Sequence, residues 1–214
     1  MVSDLFVSRG GEKLQAAIEN WKLEIEDLIV LDVGSSTGGF VDCLLQNGAK
    51  KVYALDIAYG ELAWKLRNDK RVVVMERTNI LYLESLPSSS VIPAKAGIHK
   101  NNKWIPHQVR DDDTKVDIVT IDAGWTKLEL VLPVVKKFLK SDGLIIALLK
   151  PHYETDKKNL VKGVVRPELV KSVKDQVIKS LQVSGYRVQD MMESPILGGA
   201  GNKEYLLKIV PNPV

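Results

Sequence analysis

The sequence predicts an α/β fold in which helices cover both faces of a mostly parallel β-sheet. Apolar segments rich in Val, Ile and Leu alternate with segments of helical periodicity along the first 150 residues. This alternation is typical of β-α-β units, because the crossover helices of a parallel sheet bury its two faces. Five of the apolar segments are predicted as strands, over residues 28–33, 51–56, 71–76, 116–123 and 143–150.

Predicted helices lie before, between and after these strands, where apolar residues recur at helical spacing. The first spans residues 10–21 and precedes the sheet. The longest begins near Pro167, since proline is favoured in the first turn of a helix, and ends before Gly185. Three further helices are predicted over residues 38–47, 60–68 and 127–140.

Two apolar segments near the C-terminus predict a closing β-hairpin. Residues 186–194 and 203–210 have strand character, and only the short loop PILGGAGN separates them. Their pairing gives a seven-stranded, mostly parallel sheet with one antiparallel strand. This combination is typical of the Rossmann-like methyltransferase fold.

Length and composition favour one globular domain, which we place over residues 1–214. No apolar run approaches the roughly 20 residues that span a bilayer, and the N-terminus lacks the pattern of a secretory signal. The single cysteine, Cys43, excludes a disulfide within the chain and favours a reducing, cytoplasmic compartment. The net charge of +3 is compatible with a nucleic-acid partner without indicating one.

One segment, residues 88–113, interrupts the alternation of strands and helices. It is polar, contains two Ile-Pro steps and has little periodicity. Long loops without secondary structure are uncommon in compact domains. We predict an exposed insertion without a functional role, because the segment resembles peptides encoded by mobile palindromic repeats that enter unrelated bacterial genes. The alternative is a substrate-binding lid, for which the segment offers Lys100, Lys103, Trp104 and Arg110.

A glycine-rich loop follows the first predicted strand, in the stretch LDVGSSTGGF. Such a loop lets a nucleotide-like ligand approach the backbone closely. The spacing of Gly34, Gly38 and Gly39 differs from the G-x-G-x-x-G of dinucleotide sites, and Asp32 would repel a pyrophosphate. We therefore predict S-adenosylmethionine, which carries a positive sulfonium and no phosphate. Asp56, at the end of the second strand, is placed to accept hydrogen bonds from its ribose diol.

Residue types exclude several acceptors for a methyl group. Methylation of cytosine C5 requires a cysteine nucleophile, and Cys43 is predicted to be buried filler on a core-facing helix. Methylation of exocyclic amino groups usually requires an Asn/Asp-Pro-Pro-aromatic corner, where this chain has DAGW. Metal-assisted transfer requires clustered acids or histidines, and His152 is the only histidine outside residues 88–113. We expect no metal.

Charged residues at predicted strand ends favour a ribose hydroxyl as the acceptor. Asp122 ends the fourth strand, Lys150 ends the fifth and Glu204 begins the last, while Lys13 of the first helix can join them. Each alone has an ordinary structural explanation, such as a lysine that reaches solvent from a strand end. As a set they could aim a weakly acidic hydroxyl at a methyl carbon. Lys150 would either deprotonate or orient that hydroxyl, since acids beside it favour its charged form.

Short motifs lie along nearly the whole chain outside residues 88–113. They are SRGGEKL (8–14), LDVGSSTGGF (31–40), VYALDIAYGEL (52–62), ERTN (76–79), KPHYE (150–154), KGVVR (162–166) and GNKEYLL (201–207). Together they resemble the TlyA-like, or hemolysin A-like, group of FtsJ-type ribosomal RNA 2′-O-methyltransferases.

This resemblance implies three groups of functional residues. The catalytic tetrad would be Lys13, Asp122, Lys150 and Glu204. The residues around the cofactor would be Asp32, Gly34, Ser36, Gly38, Gly39, Asp56 and Asn79. The contacts to RNA would be Arg9, Lys162 and Arg166, the last two on a basic loop that closes over the substrate.

Two features depart from the family's pattern. After the catalytic aspartate the family usually reads DVSFISL, whereas this chain reads DAGWTKL, so Gly124 and Trp125 are expected to reshape the acceptor pocket. Family members also begin with a small RNA-binding domain of the ribosomal-protein type, whereas this chain starts directly at the methyltransferase. We expect weaker binding of RNA as a result, because phosphate contacts dominate affinity for nucleic acids.

Two other functions are weighed against an RNA methyltransferase. One is a non-catalytic relic that binds the cofactor or RNA, although the presence of all four tetrad residues argues against it. The other is a secreted membrane-lytic protein, which the name hemolysin suggests, but the sequence has neither a secretory signal nor an amphipathic lytic helix. We expect RNA, and no membrane, as the partner.

Overall fold

The computed structural model describes residues 5–87, 115–124 and 126–213. The strands are β1 (Ile29–Val33), β2 (Lys51–Leu55), β3 (Val72–Met75), β4 (Val116–Ile121), β5 (Leu139–Leu149), β6 (Leu160–Val161), β7 (Val164–Val165), β8 (Tyr186–Glu193) and β9 (Tyr205–Pro211). Seven of them form one sheet in the order β3-β2-β1-β4-β5-β9-β8. Its pairs are parallel except those of β9, which runs antiparallel to both β5 and β8. The predicted Rossmann-like fold is therefore confirmed.

Helices cover both faces of this sheet. They are α1 (Gly10–Trp21), α2 (Gly39–Gln46), α3 (Trp64–Arg67), α4 (Leu128–Val135), α5 (Pro151–Glu154) and α6 (Pro167–Val183). Helices α1, α2 and α3 share one apolar core with the sheet, and α4 and α6 share the other. In α6, Val173, Val177 and Leu181 are buried at a spacing of four residues, so one stripe of the helix faces the sheet.

Strand β1 shows why the central strands are nearly continuous apolar runs. Val30 belongs to the core beneath α1 and α2, whereas Leu31 and Val33 belong to the core beneath α4 and α6. Successive side chains of a strand point to opposite faces, and both faces are buried here. Only Asp32 interrupts this apolar run, and it is itself fully buried.

The strand order places a crevice at the carboxyl ends of the central strands. β2 and β4 flank β1, so the chain reverses its direction of travel across the sheet at β1. The carboxyl ends of parallel strands at such a reversal form the usual ligand site of this architecture. Because β9 is antiparallel to β5, its first residue, Tyr205, lies at this same end of the sheet and pairs with Leu149, the last residue of β5.

Two predicted helices are shorter in the structure. The helix expected over residues 60–68 is reduced to α3, because Gly60, with φ of 79°, and Ala63, with ψ of 138°, do not have helical backbones. The helix expected over residues 127–140 ends at α4 and a single 3-10 turn over residues 136–138. Strand β5 then begins earlier than predicted, at Leu139, which pairs with Val116 of β4.

A small hairpin, β6–β7, follows α5 and was not predicted. Leu160 pairs with Val165 and Val161 with Val164, and the two residues between them form the turn. These are Lys162 and Gly163, with φ of 51° and 82°. Two-residue hairpin turns require this left-handed backbone, so the Lys-Gly pair between apolar residues was the signal for it. The hairpin predicted near the C-terminus, by contrast, is confirmed as β8–β9.

Predictions for residues 88–113 and for Trp125 lie outside the described residues. The described segments on either side of the gap end at Pro87 and resume at Lys115, immediately before β4. In the described part of the chain, no helix is both long and apolar enough to cross a membrane.

Candidate active site

A cavity of about 550 Å³ opens at the carboxyl ends of β1, β2, β4 and β5. The start of α1 and the loop before β9 complete its wall. Many residues singled out from the sequence line it, although they are distant from one another along the chain. They are Arg9, Lys13, Gly34, Ser36, Gly39, Asp56, Asp122 and Lys150. The fold therefore brings predicted catalytic, cofactor and RNA residues into one space, with Arg9 beside Lys13 rather than on a separate RNA surface.

Other predicted residues do not line this cavity. Gly38 precedes the first turn of α2, and the side chain of Asn79 accepts a hydrogen bond from the backbone of Leu81 at 3.0 Å. Both therefore shape the loops around the predicted cofactor site from outside it. Lys162 and Arg166 are exposed on and just after the β6–β7 hairpin.

The glycines of the loop after β1 are required by contacts within the protein. A Cβ atom on Gly34 would lie 2.8 Å from the backbone oxygen of Asp122. A Cβ on Gly38 would overlap Leu66, and one on Gly39 would overlap Ser8 at the start of α1. Gly34 and Gly38 also have φ of 88° and 99°, which side chains disfavour. Close packing within the protein is therefore sufficient to require glycine at these positions, and their contact with the cofactor stays a prediction.

Asp56 organises the polar end of the cavity. One carboxylate oxygen accepts the backbone N–H of Ser36 at 2.7 Å, and the other accepts that of Ala58 at 2.8 Å. The hydroxyl of Ser36 donates to Glu61, which also lines the cavity. Each carboxylate oxygen can accept two hydrogen bonds, so Asp56 retains acceptor capacity for a diol. This end of the cavity therefore fits a ligand with hydroxyl donors and positive charge.

We expect the Asp56→Ala variant to bind S-adenosylmethionine about 10- to 100-fold more weakly, because a hydrogen bond to a charged group contributes about 1.5–3 kcal/mol. Isothermal titration calorimetry measures the change directly. Asp175→Ala, which removes an exposed acid from α6, is the matched control and should leave affinity unchanged. An unaltered dissociation constant for Asp56→Ala would remove this residue from the cofactor site.

Asp32 lies beneath the cavity rather than on its wall. It is fully buried in β1, and the Thr120 hydroxyl donates a hydrogen bond of 2.6 Å to one of its oxygens. The pKa of Asp32 is raised to about 7, chiefly by burial and also by the negative charges of Asp122 and Asp56, while the Thr120 hydrogen bond opposes this rise. Asp32 is therefore a structural acid whose neutral form the fold favours.

This raised pKa predicts a stability difference that depends on pH. The folded protein holds the Asp32 proton up to about pH 7, whereas the unfolded chain releases it near pH 3.8, so stability falls between these values as pH rises. Asp32→Asn keeps the acceptor for Thr120 and should unfold at a higher temperature than the parent at pH 8, with the difference shrinking toward pH 4. Thermal unfolding without cofactor across this range checks it. A difference that is constant with pH would show that Asp32 does not titrate there.

Two ion pairs form part of the site, and all their members line the cavity except Glu204, which is buried. Lys150 Nζ lies 2.6 Å from Asp122 Oδ1 and 3.3 Å from the Asp122 backbone oxygen. Lys13 Nζ lies 2.5 Å from Glu204 Oε2. The Glu204 side chain is only 3% exposed, which makes its pairing obligatory, because an unpaired buried charge is strongly unfavourable. The four predicted tetrad residues are therefore organised as two lysine–carboxylate pairs.

Helix packing fixes the position of the Lys13 pair. The start of α1 approaches the start of α2 closely, since Gly39 leaves no space for a side chain against Ser8. The segment before α1 is held by a hydrogen bond from the Val7 backbone N–H to Asp42 at 2.8 Å. On the opposite side, Gly198 lies directly against the Glu204 carboxylate, because a Cβ atom there would overlap it.

Asn202 connects the β6–β7 hairpin to the cavity wall. Its side-chain oxygen accepts the Val165 backbone N–H at 3.2 Å, and its side-chain nitrogen donates to the backbone oxygens of Gly163 and Gly199 at 3.0 and 3.1 Å. Asn202 is itself 3% exposed. The exposed basic hairpin thus has a fixed position relative to Gly199, which lines the cavity.

The sequence that forms this site matches one known protein family. The model of the FtsJ-like methyltransferase family matches residues 6–209, which include both ion pairs and the loop after β1. The chain belongs to the FtsJ-like methyltransferase family.

Relatives of this FtsJ-like chain are similar over most of its length. YqxC of Bacillus subtilis (strain 168), which carries the name of an rRNA methyltransferase, is 39% identical over 206 residues, or 95% of this chain and 65% of the relative. TlyA of Mycobacterium tuberculosis, a 16S/23S rRNA (cytidine-2′-O)-methyltransferase, is 35% identical over 94% of this chain and 67% of its own. The chain therefore spans about two thirds of the length of these relatives.

Solved structures agree with this assignment. A Streptococcus thermophilus protein that carries a hemolysin name is 36% identical to this FtsJ-like chain and superposes with a TM-score of 0.80. The match covers 97% of this chain and 67% of the other.

Sequence reasoning missed parts of the wall of this FtsJ-like site. Gly124 was noted only as a departure from the family pattern, and Gly198 and Gly199 were treated as a hairpin loop. The signal for the latter was a glycine pair just before a charged residue at a strand start. Glu61 lay within a recognised motif but received no role, although the structure places it beside Ser36.

Cys43 and His152 take no part in lining the cavity. Cys43 is fully buried in α2, as predicted, and burial raises the pKa of its thiol to about 12. A thiol held neutral in this way is a poor nucleophile. Burial also lowers the pKa of His152. The His152 ring packs at a tilt beside that of Tyr153 on α5.

Proposed function

We propose that this protein transfers the methyl group of S-adenosylmethionine to a ribose 2′-hydroxyl of ribosomal RNA. The decisive observation is that the Lys150–Asp122 pair lines the same cavity as the Asp56 and Glu61 carboxylates. One cavity therefore holds an orienting cation beside a region suited to a cationic, diol-bearing cofactor. Relatives named as rRNA 2′-O-methyltransferases support the same substrate.

The residues present fit the cofactor. Its ribose diol matches the free acceptor capacity of Asp56, and its positive charge matches the acids along the wall. When bound, S-adenosylmethionine supplies an electrophilic methyl group. The role of the protein is then to place the acceptor oxygen in line with that carbon, since such positioning provides much of the rate enhancement.

Lys150 is the group that meets the ribose hydroxyl. Its ammonium has three donors, of which one bonds to the Asp122 backbone oxygen, while the Asp122 carboxylate lies beside it as an ion pair. A remaining donor can reach the ribose oxygen and direct a lone pair toward the methyl carbon. Held beside Asp122, Lys150 orients the hydroxyl, whose proton passes to solvent water late, once bond formation has made the oxygen strongly acidic.

Lys13 and the hairpin supply the remaining positive charge. Lys13 is fixed by Glu204 and lies where it can contact the ribose or its phosphate. Lys162 and Arg166 on the β6–β7 hairpin are exposed and tied to the cavity wall by Asn202. Because phosphate contacts dominate RNA binding, we assign these side chains to the RNA backbone. A ribosomal substrate also places the protein in the cytoplasm.

Transfer to ribosomal subunits tests this function. Subunits from a strain that lacks the gene are incubated with the protein and with S-adenosylmethionine labelled in the methyl group. After alkaline digestion, label should remain in alkali-resistant dinucleotides, because a 2′-O-methyl group blocks cleavage of its own linkage. Label in alkali-sensitive nucleotides would place the methyl on a base instead.

Thermal unfolding separates an enzyme from a non-catalytic relic. S-adenosylmethionine should raise the unfolding temperature, because a ligand that binds only the folded state stabilises it. Stabilisation together with labelled RNA supports the proposed function. Stabilisation without label on any subunit or naked ribosomal RNA would favour a relic that only binds the cofactor.

A further inference from the structure

Building on the methyl transfer to RNA proposed above, we infer that Tyr153 is the surface on which the base of the target nucleotide stacks. It would be a substrate-positioning residue that selects an unpaired nucleotide. No motif assigned Tyr153 a role beyond its place in KPHYE.

The cavity has two distinct ends. Asp56 and Glu61 lie at one end, after β2, and the two ion pairs lie at the other, where Gly124 is beside Lys150 and Gly198 is beside Glu204. If the cofactor occupies the acidic end, the acceptor nucleotide must enter from the glycine end. Beside the ion pairs the wall includes Gly124, Gly198 and Gly199, which leave room for a nucleotide but offer no side chain on which its base could stack.

Tyr153 stands at this glycine end. Its backbone N–H donates to the backbone oxygen of Lys150 at 2.9 Å, which fixes the start of α5 to the reactive lysine. The ring centroid lies 5.8 Å from Lys150 Nζ. A Cβ atom built on Gly124 would lie 3.5 Å from the Tyr153 hydroxyl, so the tyrosine extends over that glycine.

The ring of Tyr153 is fixed yet open. His152 packs beside it with centroids 4.3 Å apart, while 43% of Tyr153 remains exposed. An exposed aromatic ring next to a reactive group offers a stacking surface that any base can use. Its separation from Lys150 Nζ is comparable to that between a ribose 2′-oxygen and the base of the same nucleotide. A hydroxyl held by Lys150 would thus bring its base to Tyr153.

Other exposed aromatic residues do not share this setting. Tyr82 is 82% exposed, but it follows β3, which is separated from β5 in the sheet by β2, β1 and β4. Neither tyrosine is part of the cavity wall, but Tyr153 extends over Gly124 and lies beside Lys150, which are both part of it. Tyr82 is therefore a matched control: a more exposed tyrosine on the same molecule that is far from the acceptor end.

Steady-state kinetics with Tyr153→Leu and Tyr153→Phe test the inference. Loss of a stacking contact should raise the KM for RNA about 10- to 100-fold in Tyr153→Leu, whereas Tyr153→Phe should keep the parent value. The dissociation constant for S-adenosylmethionine should stay unchanged in both, and Tyr82→Leu should match the parent throughout. An unchanged KM in Tyr153→Leu, or equal losses in Leu and Phe variants, would overturn the stacking role.

Binding without transfer keeps this result separate from failure of the proposed function. Fluorescence anisotropy with a labelled single-stranded fragment of ribosomal RNA measures affinity even if no methyl is transferred. Tyr153→Leu should bind the fragment at least several-fold more weakly than Tyr153→Phe and Tyr82→Leu. Equal affinities among the three variants would refute stacking on Tyr153, whatever the outcome of the transfer assay.

Discussion

Lys150→Ala is expected to lose methyl transfer by about 10²- to 10⁴-fold while it keeps the fold and the affinity for S-adenosylmethionine. The substitution removes the donor that meets the ribose hydroxyl, but Asp56 and the loop after β1 stay intact. Single-turnover label transfer to ribosomal subunits measures the loss, and calorimetry measures cofactor binding. Lys137→Ala, which removes an exposed lysine from the 3-10 turn after α4, is the matched control.

Lys150→Arg should not restore activity. Guanidinium is planar and always charged, and it cannot reproduce the compact ammonium held between the side chain and backbone oxygen of Asp122. Full activity in Lys150→Ala would leave the family assignment intact but remove Lys150 from the centre of the mechanism. Recovery in Lys150→Arg would show that positive charge alone suffices.

The sequence predicted the positions of the charged residues well, because strand ends determine them. Asp56, Asp122 and Lys150 each follow an apolar run directly, and parallel strands bring their carboxyl ends to one edge. Local pattern is sufficient for this step. Partnering is a different matter: the pairing of Lys13 with Glu204 depends on the distance between α1 and the start of β9, which no local pattern encodes.

The remaining errors arose where tertiary contacts override local preference. Residues 60–63 have helical periodicity, yet the backbone N–H of Gly60 bonds to Glu76 and that of Ala63 bonds to Thr37. The loop glycines were attributed to cofactor contact alone, which stays a prediction, and the sequence did not reveal that the backbone of Asp122 also lies against Gly34. A glycine required by a protein neighbour and one required by a ligand look identical in a single sequence.

Replacement of Glu204 by alanine, the usual test of a catalytic carboxylate, is difficult to interpret because the side chain is buried. Removing this carboxylate would leave Lys13, whose side chain is 11% exposed, without its partner in a largely buried place. Such a loss is strongly destabilising, so an inactive Glu204→Ala protein could reflect damage to folding rather than to chemistry. A sharper test moves the carboxylate without deleting it.

Gly198→Ala provides that test. A Cβ atom at this position would overlap the Glu204 carboxylate, yet φ of −72° and ψ of −169° suit alanine without strain. The flexible Glu204 side chain must therefore turn aside and loosen its contact with Lys13. We expect kcat to fall about 10²-fold, because small displacements of positioned groups have effects of this size, while cofactor affinity stays unchanged.

A double-mutant cycle shows whether the effect acts through Glu204. In a Lys13→Met/Glu204→Gly background, which leaves no unpaired buried charge, the space beside residue 198 is free, so adding Gly198→Ala should cause no further loss of activity. Equal losses in both backgrounds would mean that the new methyl group obstructs RNA rather than Glu204. Full activity of Gly198→Ala alone would show that methyl transfer tolerates a displaced Glu204. The Lys13–Glu204 pair would then have a structural role, and catalysis would rest on the Lys150–Asp122 pair.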